Sequence, residues 1–193
     1  MNRRHFLYCS LFSLLGCGRD AVVFRNTQLK EAGFGRRLVL ADHHGLLRSL
    51  DDFRGKAIVV FFGYTSCPDI CPTMLARLAS VMTALGADAS RVQVLFVSVD
   101  PERDSAARLA EFVPWFHPSF LGLRGDAAQT RAAIEEFRVV ATRKPVEGEM
   151  GYVIDHSAGA YVFGPDGRLR LYAQETASVE DIVADLRALL NGA

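Results

Sequence analysis

Ala57-Ile58-Val59-Val60-Phe61-Phe62-Gly63-Tyr64-Thr65-Ser66-Cys67-Pro68-Asp69-Ile70-Cys71-Pro72 runs from six apolar residues through a short turn to two cysteines and a proline. A continuous apolar run bounded by Gly55-Lys56 and Gly63 is the pattern of a strand buried on both faces. Further on, Met74, Leu75, Leu78, Val81, Met82 and Leu85 recur at helical spacing up to Leu85, so a helix begins near Pro72. Proline suits a first helical turn, where its missing N–H has no partner to lose. The stretch therefore reads as strand, thiol-bearing turn, helix. Cysteines at i and i+4 near a helix start can turn both sulfurs to one point. The positive end of the helix dipole favours thiolate, so both thiols are expected to ionise below the ordinary range.

The rest of the chain alternates in the same way. Upstream, Arg37 to Leu40 and Leu46 to Arg48 flank Asp42-His43-His44-Gly45, which predicts a hairpin. Downstream come a second buried strand at Val92–Val99, a helix at Ser105–Phe112, a short strand at Phe120–Leu123 and a helix at Asp126–Phe137. Arg143–Gly151, with Lys144-Pro145 and Gly148, reads as a mobile loop, and Met150 in it as a surface methionine or a weak extra ligand. Ala160–Phe163 and Arg168–Tyr172 flank the turn Gly164-Pro165-Asp166-Gly167, and Ser178–Leu190 closes the chain as an amphipathic helix. This order predicts an α/β, thioredoxin-like fold: a mixed central sheet, flanking helices and an added N-terminal β-hairpin.

The whole chain has 193 residues, half of them hydrophobic and 23% charged, with a formal net charge of zero. That suits one globular domain and gives no support to nucleic-acid binding, which calls for a basic stripe. The beginning is different in kind. Arg3-Arg4 precede an apolar run, Phe6–Leu15, that is too short to span a membrane and matches a signal peptide. Leu14-Leu15-Gly16-Cys17 resembles a lipobox, and Arg3-Arg4-His5-Phe6-Leu7 a twin-arginine export motif. The expected organisation is a signal peptide over 1–16, a lipid-anchored tether over 17–33 with lipid on Cys17, and a folded domain over 34–193. Cys9 leaves with the signal, and a short strand is expected near Ala21–Arg25.

Cys67 and Cys71 are then the remaining thiols. Three readings compete for them. A structural disulfide would close a very short loop and add little stability. A redox-active dithiol fits the strand-to-helix position, although the usual spacing is one residue shorter. A soft metal site fits two thiolates, which suit Cu(I) or Zn, but it needs a third ligand. Among the histidines, His43 and His44 are expected to be solvated in the hairpin turn, and His117 to lie in a partly apolar loop. His156 precedes a strand that, on such a sheet, runs beside the one feeding the thiols, so its loop opens on them. Asp155 beside it is a candidate to orient the ring or hold the turn.

The motifs taken together resemble the Sco/SenC family. Phe62 to Pro72, Ser98-Val99-Asp100-Pro101-Glu102-Arg103-Asp104, and Ile154-Asp155-His156-Ser157 with Tyr161 and Gly164–Gly167 stand in that family's order and spacing over about Gly33–Leu190. The resemblance implies a membrane-tethered thioredoxin-like domain that binds copper, as Cu(I) and Cu(II), through Cys67, Cys71 and His156. It also implies a partner, subunit II of cytochrome c oxidase, whose binuclear copper site receives copper or has its thiols reduced. Other periplasmic copper chaperones or thioredoxin-like reductants are further implied partners. The implied location is the periplasmic side of a bacterial membrane, and the implied role is a metallochaperone rather than an enzyme. The alternative is a thiol-disulfide reductase using Cys67 and Cys71, or a redox-signalling protein. Two neighbouring classes fit less well. No proline lies between Pro145 and Pro165, where a general thioredoxin carries one opposite its thiols, and Phe61 stands where a peroxiredoxin motif wants proline.

Overall fold

The computed structural model describes residues 23–29, 32–148 and 150–192. The expected signal peptide, Cys9 and Cys17 lie outside the described residues. The strand that opens the quoted stretch is β4, Ala57–Gly63, with all seven residues buried. It pairs in parallel with β5, Val92–Ser98, equally buried, in a register that sets Gly63 opposite Ser98. β4 is apolar throughout and β5 nearly so, Gln93 and Ser98 apart, because neither face of this central pair meets water. β6, Leu121–Arg124, extends the parallel set on the far side of β5.

Antiparallel strands complete the sheet on both sides. The hairpin β2–β3, Val39–Asp42 and Leu47–Ser49, adds to β6. On the other side β9, Ala160–Phe163, pairs with β4, and β10, Leu169–Ala173, pairs with β9 around the expected turn. β1, Thr27–Gln28, pairs with β10. The order across the eight strands is β1-β10-β9-β4-β5-β6-β2-β3. The expected strand near Ala21–Arg25 is thus found slightly later, and the sheet takes up residues that the sequence assigns to the tether.

Among the described residues four α-helices flank the sheet: α1, Ile70–Leu85; α2, Ala106–Phe116; α3, Ala127–Glu136; and α4, Val179–Leu190. The stretch Ile70–Arg91 is long and apolar enough to cross a membrane, but most of its large apolar side chains, Met74, Leu75 and Leu78 among them, are buried in the core, Ile70 excepted. α2 runs a turn beyond the expected Phe112, carrying Pro114 inside it. α3 and α4 start at side-chain caps on Asp126 and Ser178.

One expectation is overturned. Arg143–Gly151 is not simply a loop: β7, Ala141–Pro145, and β8, Tyr152–His156, pair from Ala141↔His156 to Pro145↔Tyr152 as a separate two-stranded sheet. Its residues are mostly solvated, with Ile154 alone fully buried among the two strands, so no apolar alternation marks it in the sequence.

Candidate metal centre

α1 begins at Ile70, so Cys71 is its second residue and Pro72 its third. The Asp69 side chain does not cap it. The sulfur of Cys67 stands in that place: the Cys71 N–H points to Cys67 Sγ at 3.5 Å. A thiolate there satisfies an orphan helix donor and sits at the positive end of the dipole. Cys71 itself points inward and is fully buried, whereas Cys67 is half-buried. Gly63 makes room for it, because a Cβ at that position would lie 2.8 Å from Cys71 Sγ and 2.8 Å from the Phe96 ring.

The third group arrives at the end of β8. His156 Nε2 lies 3.2 Å from Cys71 Sγ. The ligand atoms of Cys67, Cys71 and His156 all fall within 4.8 Å of one another. The spacing argument that placed His156 near the thiols thus holds in three dimensions. Asp155 does not orient the ring: it is exposed and paired with Lys144. The carbonyl of Ser157 does so instead, 3.0 Å from Nδ1. With Nδ1 donating to that carbonyl, Nε2 keeps its lone pair toward the thiols. The rings of Phe61 and Tyr64 stand edge-on to the imidazole, with centroids 6.1 and 5.8 Å away.

The two thiols have opposite protonation, contrary to the expectation that both ionise easily. The Cys71 thiol, donating to Cys67, is the main cause that pushes Cys67 down to about 3; the N–H groups of Asp69 and Cys71 act the same way, against partial burial. Burial pushes Cys71 up, and the negative sulfur of Cys67 adds to it. The metal-free pair is one half-buried thiolate and one buried thiol.

Residues behind the turn carry roles that the sequence did not disclose. The buried carboxylate of Asp104 accepts from the Thr65 N–H and hydroxyl, the latter at 2.6 Å, and from the Ser98 hydroxyl at 2.6 Å. It bolts the start of the thiol turn to the end of β5. Burial pushes the Asp104 carboxyl up, against the bonds from Ser98 and Thr65. Tyr64, also buried, accepts from the Ile154 N–H at 3.1 Å and so ties β8 to the same turn. The signal for Asp104 lay in the Ser98–Asp104 motif, but its partner Thr65 is 39 residues away.

The remaining candidates stand elsewhere. His43 is buried, not solvated, and its Nδ1 accepts from the Gly122 N–H at 3.0 Å; burial lowers its pKa, which keeps it neutral. His44 is exposed as expected, and His117 stacks on Phe120. Met150 is exposed, and its carbonyl accepts from Arg103.

Comparison with known proteins agrees with this geometry. The pattern of the SCO1/SenC family matches residues 26–191. The mitochondrial SCO2 homolog of Mus musculus is 40% identical over 166 residues, covering 84% of this chain and 65% of its own length. This chain spans 60–65% of the length of the first four curated relatives it matches. The structure of Bradyrhizobium japonicum ScoI with copper bound superposes with a TM-score of 0.74 at 36% identity, over 81% of this chain and 99% of that one. Yeast Sco1 with copper bound gives a TM-score of 0.70 at 32% identity, over 80% and 89%. The match across nearly the whole described length, with the thiol pair and the histidine drawn together, leads to one assignment: this chain belongs to the SCO1/SenC family.

Proposed function

We propose that this protein is a membrane-tethered copper metallochaperone that binds its cargo through Cys67, Cys71 and His156. The observation that carries the reading is the convergence of two sulfurs and one imidazole nitrogen within 4.8 Å. Two soft thiolates and an imidazole suit three-coordinate Cu(I), and Cu(II) can recruit a further donor. Two relatives of similar fold were solved with copper bound. The half-buried Cys67 thiolate offers the first ligand. Cys71 must lose its proton as the metal enters, so uptake releases a proton to solvent. An open site with three protein ligands leaves a position where an acceptor's ligand can join before the cargo departs.

The family resemblance supplies the acceptor: the binuclear copper site of cytochrome c oxidase subunit II. The N-terminal pattern supplies the location, with a signal peptide over 1–16, lipid on Cys17, a tether over 17–33 and the domain over 34–193 on the periplasmic side of a bacterial membrane. Other periplasmic copper chaperones or thioredoxin-like reductants are the proposed upstream partners. The same thiols also carry the alternative reading, thiol-disulfide exchange with a partner. The Cys67 thiolate can attack a partner disulfide and Cys71 resolve the mixed disulfide, which leaves this chain with an internal disulfide and the partner with two thiols.

His156 separates the two. In the full chain with Cys9 and Cys17 replaced by Ser, Cu(I) is titrated anaerobically against a colorimetric chelator. His156→Ala is expected to abolish tight copper binding while thiol-disulfide exchange continues. Copper affinity equal to that of the parent would remove His156 from the site.

A further inference from the structure

The three candidate ligands belong to two bodies. Cys67 lies on the β4–α1 turn of the main sheet and Cys71 in the first turn of α1, whereas His156 ends a strand of the separate β7–β8 sheet. A lone two-stranded hairpin is marginal in water, so its position depends on what holds it down. Its tie to the Tyr64 hydroxyl is a single bond.

Arg103, in the loop between β5 and α2, is the centre of the others. Its Nη1 donates to the carbonyls of Met150 and Tyr152 at 3.1 and 3.0 Å. Its guanidinium lies 3.6 Å from the centre of the Tyr152 ring and 5.5 Å from that of Tyr64. Its Nε donates to the buried carboxylate of Asp100, and the Tyr152 hydroxyl donates to the other oxygen of that carboxylate at 2.8 Å. One side chain thus joins the hairpin, the thiol turn and the end of β5. Arg143 of β7 adds a weaker strut, over the Tyr152 ring at 4.0 Å and to the exposed Glu102 at 3.0 Å. A lysine cannot reproduce this arrangement, because the planar fork both stacks and donates at fixed angles.

We propose that Arg103 is the positioning residue that latches the β7–β8 hairpin onto the main sheet and thereby sets His156 against the thiol pair. Loosening the latch withdraws the imidazole while both sulfurs stay on the rigid β4–α1 turn. Histidine is therefore the ligand that leaves first when an acceptor takes the copper. The proposal rests on the copper reading above and adds the order in which the ligands part.

A double-mutant cycle tests it, in the full chain with Cys9 and Cys17 replaced by Ser and loaded with Cu(I). The measured quantities are the rate of copper loss to excess chelator and hydrogen exchange across residues 141–156. Arg103→Ala is expected to speed copper loss about 10-fold or more, the usual weight of a group that orients a ligand, with Arg103→Lys in between. Exchange in the hairpin should rise while β4 and α1 keep their protection, which also shows that the variants are folded. In a His156→Ala background, where the two thiolates alone hold Cu(I) weakly and release it faster, the same Arg103→Ala change should alter that release rate by no more than about twofold. An equal effect in both backgrounds, or an unchanged rate with His156 present, overturns the proposal. No effect of His156→Ala alone would instead overturn the ligand assignment, and the latch's role at the metal with it.

Discussion

Cys67 and Cys71 are chemically the same residue four positions apart, and the fold makes them opposites. Cys67 caps the start of α1 and faces outward; Cys71, one residue into the helix, faces Gly63 and Phe96 in the core. With its pKa near 3, Cys67 is already fully ionised at pH 5, so its thiolate fraction does not change as pH rises from there. Alkylation of the reduced, metal-free chain by iodoacetamide is therefore expected at Cys67 with a rate nearly flat from pH 5 to 8. An ordinary thiol would speed up roughly 1,000-fold over that range. Mass spectrometry of the adduct against pH checks this, and a rate that climbs tenfold per unit would refute it. The sequence placed both sulfurs at a helix start correctly, but spacing carries no information on which one the core swallows.

The loop after β5 is the element on which the site leans. Asp100 holds the latch, and Asp104 holds the thiol turn through Thr65 and Ser98. Asp104→Ala leaves those buried donors without an acceptor, which costs about 3 kcal/mol. Urea unfolding is expected to show that loss, with Asp104→Asn retaining part of it because an amide oxygen still accepts. An unchanged midpoint for the alanine variant would show that water replaces the carboxylate. The motif from Ser98 to Asp104 was visible in the sequence, yet its function was not, because each partner belongs to a distant segment. The β7–β8 hairpin escaped for a related reason: most of its side chains face solvent, so the two-residue alternation that marks a half-buried strand is missing.

At the scale of the molecule, the central sheet carries the site at one end and its N-terminal attachment along one edge. Besides its pairing with β10, β1 is fastened by a buried carboxylate that grips the two residues leading into it. Asp185 of α4, 3% exposed, accepts from the N–H groups of Arg25 and Asn26 and from the Asn26 side chain, each at 2.8 Å. Asp185→Ala is expected to cost about 2–4 kcal/mol through the orphaned donors and to expose residues 24–28 to hydrogen exchange while β4 and β5 stay protected. Protection of that segment equal to the parent's would show that the pairing of β1 with β10 suffices.

The sequence by itself determined the order of the buried central strands and the four helices, because unbroken apolar runs and 3.6-residue spacing follow directly from burial on a sheet or a helix face. It also determined the chemistry on offer, two thiols at a helix start and one histidine before a strand, along with the family they resemble. What only the tertiary structure decided was geometry between distant segments. Pairing of β9 with β4 carried His156 across 85 residues to Cys71. Packing around Gly63 buried one sulfur and left the other ionised, and one arginine joined the hairpin to the sheet. Such effects depend on desolvation and on donors and acceptors that meet only when the chain is folded, and local patterning holds no record of them.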